Sequence, residues 1–238
     1  SSTKLEGNTM TWLTLLLLSW LLPSALLAQL HPFPGPGRAA SGGGAGFTQL
    51  ASDTFPTNGP LAGNWTTITG ADAMTVAAGA VQDAAVDGND AAARYTAVTW
   101  PNDQYAECAI VAASTTNAGA GPIVRASTTA NTYYRATVKG PFGATAVIRI
   151  EKFLTGVYSS SPSGNVTITL AANDIIRLSV TTSGSNAVLT ATQNGVTRVS
   201  WTDSTAAILT GQAGLAVFVD SGAATDAIAD NWAGGSIP

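Results

Sequence analysis

Charge is scarce in this sequence. Only 10% of the 238 residues are charged, the net charge is −4, and Lys and Arg nowhere cluster. A nucleic-acid footprint needs a basic stripe, so no nucleic-acid partner is expected. A helical bundle needs Glu, Lys and Leu on its faces and is disfavoured on the same composition. The single cysteine, Cys108, has no mate for an internal disulfide. In the run Gln104–Ile110 it falls in phase with Ala106 and Ile110 and reads as a small buried hydrophobe. The single histidine is His31. Beyond it there is no imidazole for a Ser/His/Asp triad, a Cys/His pair or a Cys/His zinc site. No Gly-rich phosphate loop runs into Lys-Ser or Lys-Thr. After residue 46 the only glutamates are Glu107 and Glu151, each alone in its run. The paired carboxylates of glycoside hydrolysis are therefore missing, and the chain reads as a non-enzyme with no catalytic residue.

What the chain has in quantity is Ala, Thr, Ser, Gly and Val, behind one long apolar run. Thr11 to Leu27 reads TWLTLLLLSWLLPSALL. Leu-rich composition predicts a helix there. Residues 1–30 suit a signal peptide, with small residues near Ala28, a membrane anchor interrupted by Pro23, or an assembly helix. Each needs a membrane or an apolar protein partner for Thr11 to Leu27 and places the protein outside the cell or at a surface. Met10 reads as a natural start, which makes Ser1 to Thr9 an upstream extension, a processed end or a cloning remnant. Residues 31–46, HPFPGPGRAASGGGAG, form a linker, because alternating Pro and Gly deny it both helix and ladder.

Residues 47–238 carry the rhythm of a β-sandwich: short alternating runs split by Gly, Asn, Asp and Pro. In Val166–Leu170 the threonines face out and the aliphatics in. In Asp174–Val180, Ile176, Leu178 and Val180 share one face. In Tyr133–Lys139, Tyr134, Ala136 and Val138 point in, and Tyr133, Arg135, Thr137 and Lys139 point out. Gln193-Asn-Gly-Val196 is a hairpin turn of the Asn-Gly type. The Ala-rich stretch 71–93 is assigned to strands on Gly79, Gly88 and the spacing of Met74, Val76 and Val81.

Several motifs together then become familiar. Asp53-Thr-Phe55 and Gly59-Pro-Leu-Ala-Gly63-Asn-Trp65 open the region. Asp103-Gln-Tyr-Ala106, Val124-Arg125 and Asn131-Thr-Tyr-Tyr134 follow. Asn194-Gly-Val196, Thr202-Asp-Ser204, Gly211-Gln-Ala-Gly-Leu215 and Asp230-Asn-Trp232 close it. Over about residues 48–235 the chain resembles the concanavalin A-like lectin/glucanase superfamily, in the laminin-G-like form of secreted bacterial and phage structural proteins. The resemblance implies an all-β fold, a two-sheet antiparallel jelly-roll sandwich of six or seven strands per sheet with one sheet concave. Its first and last strands, at Asp53-Thr-Phe55 and Asp230-Asn-Trp232, would be neighbours. It also implies either a glycan-binding or adhesion module, with a glycan or cell-surface polysaccharide as partner, or a structural subunit of a virion or surface filament that assembles with copies of itself. Relatives bind calcium, and Asp83, Asp87 and Asp90 are weighed as a structural calcium site against a plain Asx-rich turn. No other cofactor is expected. Asn64-Trp-Thr66 and Asn165-Val-Thr167 are glycosylation sequons in a eukaryotic secretory setting.

Trp65 and Trp232 are assigned to the core. Trp100, Tyr105, Tyr133, Tyr158 and Trp201 either stack on sugar or cover sheet edges and subunit contacts. A candidate site follows from a hairpin between residues 131–139 and 144–153. Opposite residues share a face, so Tyr133, Arg135 and Thr137 align with Val147, Arg149 and Glu151. The register chosen sets Tyr133 against Arg149 and Asn131 against Glu151, avoiding Arg135 against Arg149. It gathers Tyr133, Arg135, Arg149 and Glu151 into a solvent-facing patch where Tyr133 and Arg149 tolerate alanine without loss of stability.

Overall fold

The computed structural model describes residues 46–114 and 117–238. The apolar segment, its expected helix and the linker up to residue 45 lie outside the described residues. In chain order the strands are β1 (Thr48–Asp53), β2 (Gly59–Pro60), β3 (Trp65–Thr67), β4 (Met74–Ala77), β5 (Ala80–Asp83), β6 (Asp90–Tyr95), β7 (Gln104–Ala113), β8 (Ala118–Ala126) and β9 (Tyr133–Lys139). They continue as β10 (Thr145–Leu154), β11 (Val157–Ser160), β12 (Val166–Thr169), β13 (Asp174–Ser183), β14 (Asn186–Gln193), β15 (Val196–Asp203), β16 (Gln212–Val219) and β17 (Ala227–Ser236). Among the described residues the only helical element is a 3-10 turn at Ala224–Asp226.

Two antiparallel sheets result. One has nine strands in the order β15-β14-β13-β7-β17-β5-β4-β2, with β1 also on β17. The other has eight, β11-β10-β9-β8-β16-β6-β3, with β12 also on β10. The sheets are thus larger than the expected six or seven strands, because short pieces such as β2, β3, β11 and β12 extend their edges. The terminal strands pair as expected, with Asp53 opposite Trp232 and Thr48 opposite Ser236.

The core between the sheets is set by the alternation. Ile176, Leu178 and Val180 of β13 and Leu189 of β14 join one buried cluster with Tyr134, Ala136 and Val138 of β9 and Ile148 and Ile150 of β10. Cys108 is fully buried there beside Ala106 and Ile110. Near the terminal strands Trp65 meets Trp232 at 4.8 Å and Tyr95 at 5.3 Å between ring centroids. Asp53 explains its own motif: its carboxylate accepts from the Phe55 amide at 2.7 Å and from the Trp65 indole at 2.9 Å, tying β1 to β3.

A second, smaller apolar cluster lies on the outer face of the eight-stranded sheet. Ile68 packs there with Ala92, Ile123, Tyr133, Phe153 and Ala216. Residues 68–72 close over this face through Ile68 N–H to Ala92 C=O and Asp72 N–H to Asp90 C=O, both 2.9 Å. The sheet's outer face is therefore covered in its middle.

Candidate functional site

The hairpin of β9 and β10 forms, but in neither register weighed from the sequence. Arg149 stands opposite Thr137, Glu151 opposite Arg135, and Phe153 opposite Tyr133. This register obeys the same face rule and adds a direct Arg–Glu pair, which stabilises where either alternative would not. The expected solvent exposure is also corrected. Tyr133 is fully buried, stacked on Phe153 at 4.7 Å under the Ile68 cover, and its hydroxyl has no hydrogen-bond partner. Arg135 is 3% exposed and Glu151 0%. Arg149 keeps partial exposure.

Arg135, Arg149 and Glu151 nonetheless come together, in a cleft of about 190 Å³ with Asp90, Lys139, Tyr158, Phe218 and Asp220. It opens where β6 begins and where β9 and β16 end. The Arg135 guanidinium binds Glu151 through Nε at 2.7 Å and Nη2 at 2.6 Å, and Asp90 through Nη1 at 2.7 Å. Its faces meet Phe153 and Phe218, 5.1 and 4.9 Å from the ring centroids. Glu151 Oε1 takes the Arg149 guanidinium, and Oε2 also accepts from the Thr137 hydroxyl. Arg149 in turn lies 5.6 Å from the Tyr158 ring, which is 47% exposed. Gly119 makes room for the Phe218 ring: a Cβ there would meet it at 2.6 Å. The Lys139 ammonium sits 4.3 Å above that same ring.

Burial sets the electrostatics. It works against the charge of Glu151, but the adjacent Arg135 and Arg149, with Thr137, outweigh it and hold the carboxyl below the usual range. Burial likewise opposes charge on Arg135, and Glu151 and Asp90 more than offset it. Lys139 is pushed down by burial and by Arg149. The cleft thus holds fixed charges of both signs around aromatic faces.

The calcium alternative finds different employment for its residues. Asp83 accepts from the Ala85 and Val219 amides, Asp87 from Asn89, and Asp90 binds Arg135. No three His, Cys, Asp or Glu side chains among the described residues are grouped to hold a metal ion. Of the aromatics left open by the sequence, Tyr105 is buried and Trp100 and Trp201 are partly buried against the core. Tyr158 is the exposed one. A larger concavity of about 750 Å³ lies at the other end of the same sheet, lined by residues 96–100, by Ser127, Thr128 and Thr132, and by Ile208 and residues 210–212. Sequence reasoning missed it, because loops at separate places in the chain build it.

No protein-family model matches the sequence, and no curated protein matches it. Solved structures do. Xylan beta-1,4-xylosidase from Bacillus halodurans is 15% identical with a TM-score of 0.52, over 78% of this chain and 39% of that one. The carbohydrate binding module CBM66 from Bacillus subtilis is 19% identical with a TM-score of 0.49, over 73% of this chain and 93% of that one. A legume lectin-like domain from Entamoeba histolytica is 10% identical with a TM-score of 0.45, covering 74% and 91%. The xylosidase likeness shows a shared fold and nothing finer.

Proposed function

We propose that residues 47–238 form a non-catalytic module that binds a glycan outside the cytoplasm, at the cleft around Arg149 and Tyr158. One observation carries the reading: an exposed Tyr158 ring stands beside charged groups whose rotamers are already fixed by buried ion pairs. Sugar rings pack on aromatic faces while their hydroxyls need placed donors and acceptors, and a site fixed in advance loses less entropy on binding. The non-catalytic part rests on the carboxylates. Glycoside hydrolysis needs one carboxyl protonated and a second ionised. Here Glu151 is held in its ionised form, and both Glu151 and Asp90 are committed to Arg135.

The test is a glycan array with the full chain, followed by calorimetry on any hit. Tyr158→Ala should weaken the hit about tenfold, or ~1.4 kcal/mol. Its melting temperature should stay within about 2 °C of wild type, since the ring is on the surface. Unchanged affinity in Tyr158→Ala would remove the cleft as the site. Hydrolysis of the hit would remove the non-catalytic reading.

A further inference from the structure

The larger concavity differs from the cleft in one respect that decides its chemistry: no charged side chain lines it. Its wall carries hydroxyls, the Gln212 carboxamide and the edge of Trp100. Some of these groups are used internally. Thr96 donates to Asn64 C=O at 3.0 Å, and Thr132 accepts from the Thr155 amide at 2.8 Å. Thr99, Thr128 and Thr210 are exposed, and their hydroxyls have no hydrogen-bond partner among the described residues. The Gln212 carbonyl oxygen accepts from the Arg94 guanidinium, which leaves the amide nitrogen as a donor. Trp100 is held in place by its own indole N–H on Tyr95 C=O at 2.8 Å and by an edge contact with Trp232 at 6.0 Å.

The walls are held by buried polar groups. Gln104, fully buried, donates to Pro101 C=O at 2.7 Å and to Gly211 C=O at 3.0 Å, tying two of the lining loops to each other. Arg125, also fully buried, donates to Asn102 C=O at 3.0 Å and Ile208 C=O at 2.8 Å. Tyr134 accepts from the Ile208 amide at 2.9 Å, and its hydroxyl is fixed on Asp203 at 2.5 Å. Loops that served only as connections would be left to solvent, because burying such polar groups is costly unless every one is paired. A rigid wall of this kind is what a binding site requires.

We infer that this groove is a second binding site, for an uncharged, polyhydroxylated ligand: a segment of neutral glycan. Hydroxyls and one amide N–H₂ match sugar hydroxyls in both donor and acceptor roles. The Trp100 edge and Ile208 supply the apolar contact for a ring's C–H face. The absence of charge gives an acidic or basic ligand nothing to pair with and charges it the full cost of desolvation. The volume falls within the about 300–1,000 Å³ of small-molecule pockets. The inference extends the glycan reading to a separate place at the other end of the sheet and can fail independently of it.

The experiment uses the full chain and a panel of neutral pentasaccharides built from glucose, xylose, mannose and fructose, titrated by calorimetry. Three proteins are compared: wild type, Thr128→Arg/Thr210→Arg, and Tyr158→Ala. At least one neutral oligosaccharide should bind wild type, lose tenfold or more in the double arginine variant, and bind Tyr158→Ala as it binds wild type. Thr128 and Thr210 are exposed, so the double variant should melt with wild type, and thermal melting confirms that it is folded. The groove is overturned if no neutral oligosaccharide binds, if the arginine variant binds normally, or if the loss follows Tyr158 instead. Loss in the Tyr158 variant alone would refute the groove; loss in the arginine variant alone assigns that oligosaccharide to the groove and leaves the cleft to be judged on the glycans whose binding depends on Tyr158.

Discussion

Glu151 shows how much the cleft depends on single side chains. It is fully buried, yet its carboxylate holds Arg135, Arg149 and Thr137 at once. Removing Arg135 takes away one of the two cations that balance the buried Glu151, leaving Arg149, and strips Asp90 of its ion pair. Arg135→Met should therefore lower the unfolding free energy by about 3–5 kcal/mol. Adding Glu151→Leu should recover part of that loss, which chemical denaturation of single and double variants can measure. A loss that is additive in the double variant would mean the pair is not coupled. Tyr133 behaves in the opposite way. Its ring fills space beneath Ile68, so alanine there opens a cavity and costs about 3–5 kcal/mol. Alanine at Tyr133 and Arg149 should thus lower the melting temperature instead of probing a surface. Its hydroxyl, however, is buried without a partner. Tyr133→Phe should be neutral or stabilising, because it removes an unpaired polar group. A loss above about 1 kcal/mol in that variant would show that the hydroxyl is paired after all.

Among elements, those written as alternating runs were legible in the sequence. β13 and β12 follow their patterns residue by residue, and β14 and β15 meet at the Asn-Gly turn. Asn194 and Gly195 take φ of 51° and 81°, the two positive values that a type I′ turn needs. Gly195→Val should cost about 1–3 kcal/mol, because a β-branched residue is strained at that φ; equal stability by denaturation would count against this turn. The β9–β10 register was not legible. Alternation fixes which face a residue takes, but sliding by two residues leaves every face unchanged. The Arg135–Glu151 ion pair and the Tyr133–Phe153 stack favour the observed register over the two weighed from the sequence. The cover on the outer face left a trace as well. Ala91-Ala-Ala93 and Leu215-Ala-Val-Phe218 are apolar on both faces, as strands buried on two sides must be. That pattern points to a covered sheet, and Ile68 supplies part of the cover.

At the scale of the whole molecule, Asp83 is one of the carboxylates that join the two sheets. Asp83 ends β5 in the nine-stranded sheet and accepts from the amide of Val219, which ends β16 in the other, at 3.2 Å. It also accepts from Ala85 at 3.1 Å. Burial nevertheless dominates and, with Asp72 and Asp87 nearby, pushes its pKa from 3.8 up to about 6, the two amides only partly opposing. A carboxyl whose folded pKa lies above its unfolded value keeps its proton in the folded state after the unfolded chain has lost it. Stability must then fall as pH rises from about 4 to about 6 and level off beyond. The full shift corresponds to at most about 3 kcal/mol. Glu151 acts with the other sign: its depressed pKa contributes stability that is lost only as pH drops below the ordinary glutamate range. The two contributions thus run in opposite directions with pH, that of Asp83 lost as pH rises and that of Glu151 lost as pH falls. Asp83→Asn keeps an acceptor for one amide and cannot ionise, so its unfolding free energy should be flat between pH 4 and 6 while the acid fall remains. Denaturant melts of both proteins across that range decide the matter. A variant that keeps the wild-type slope would show that the pH dependence comes from elsewhere than the Asp83 clasp.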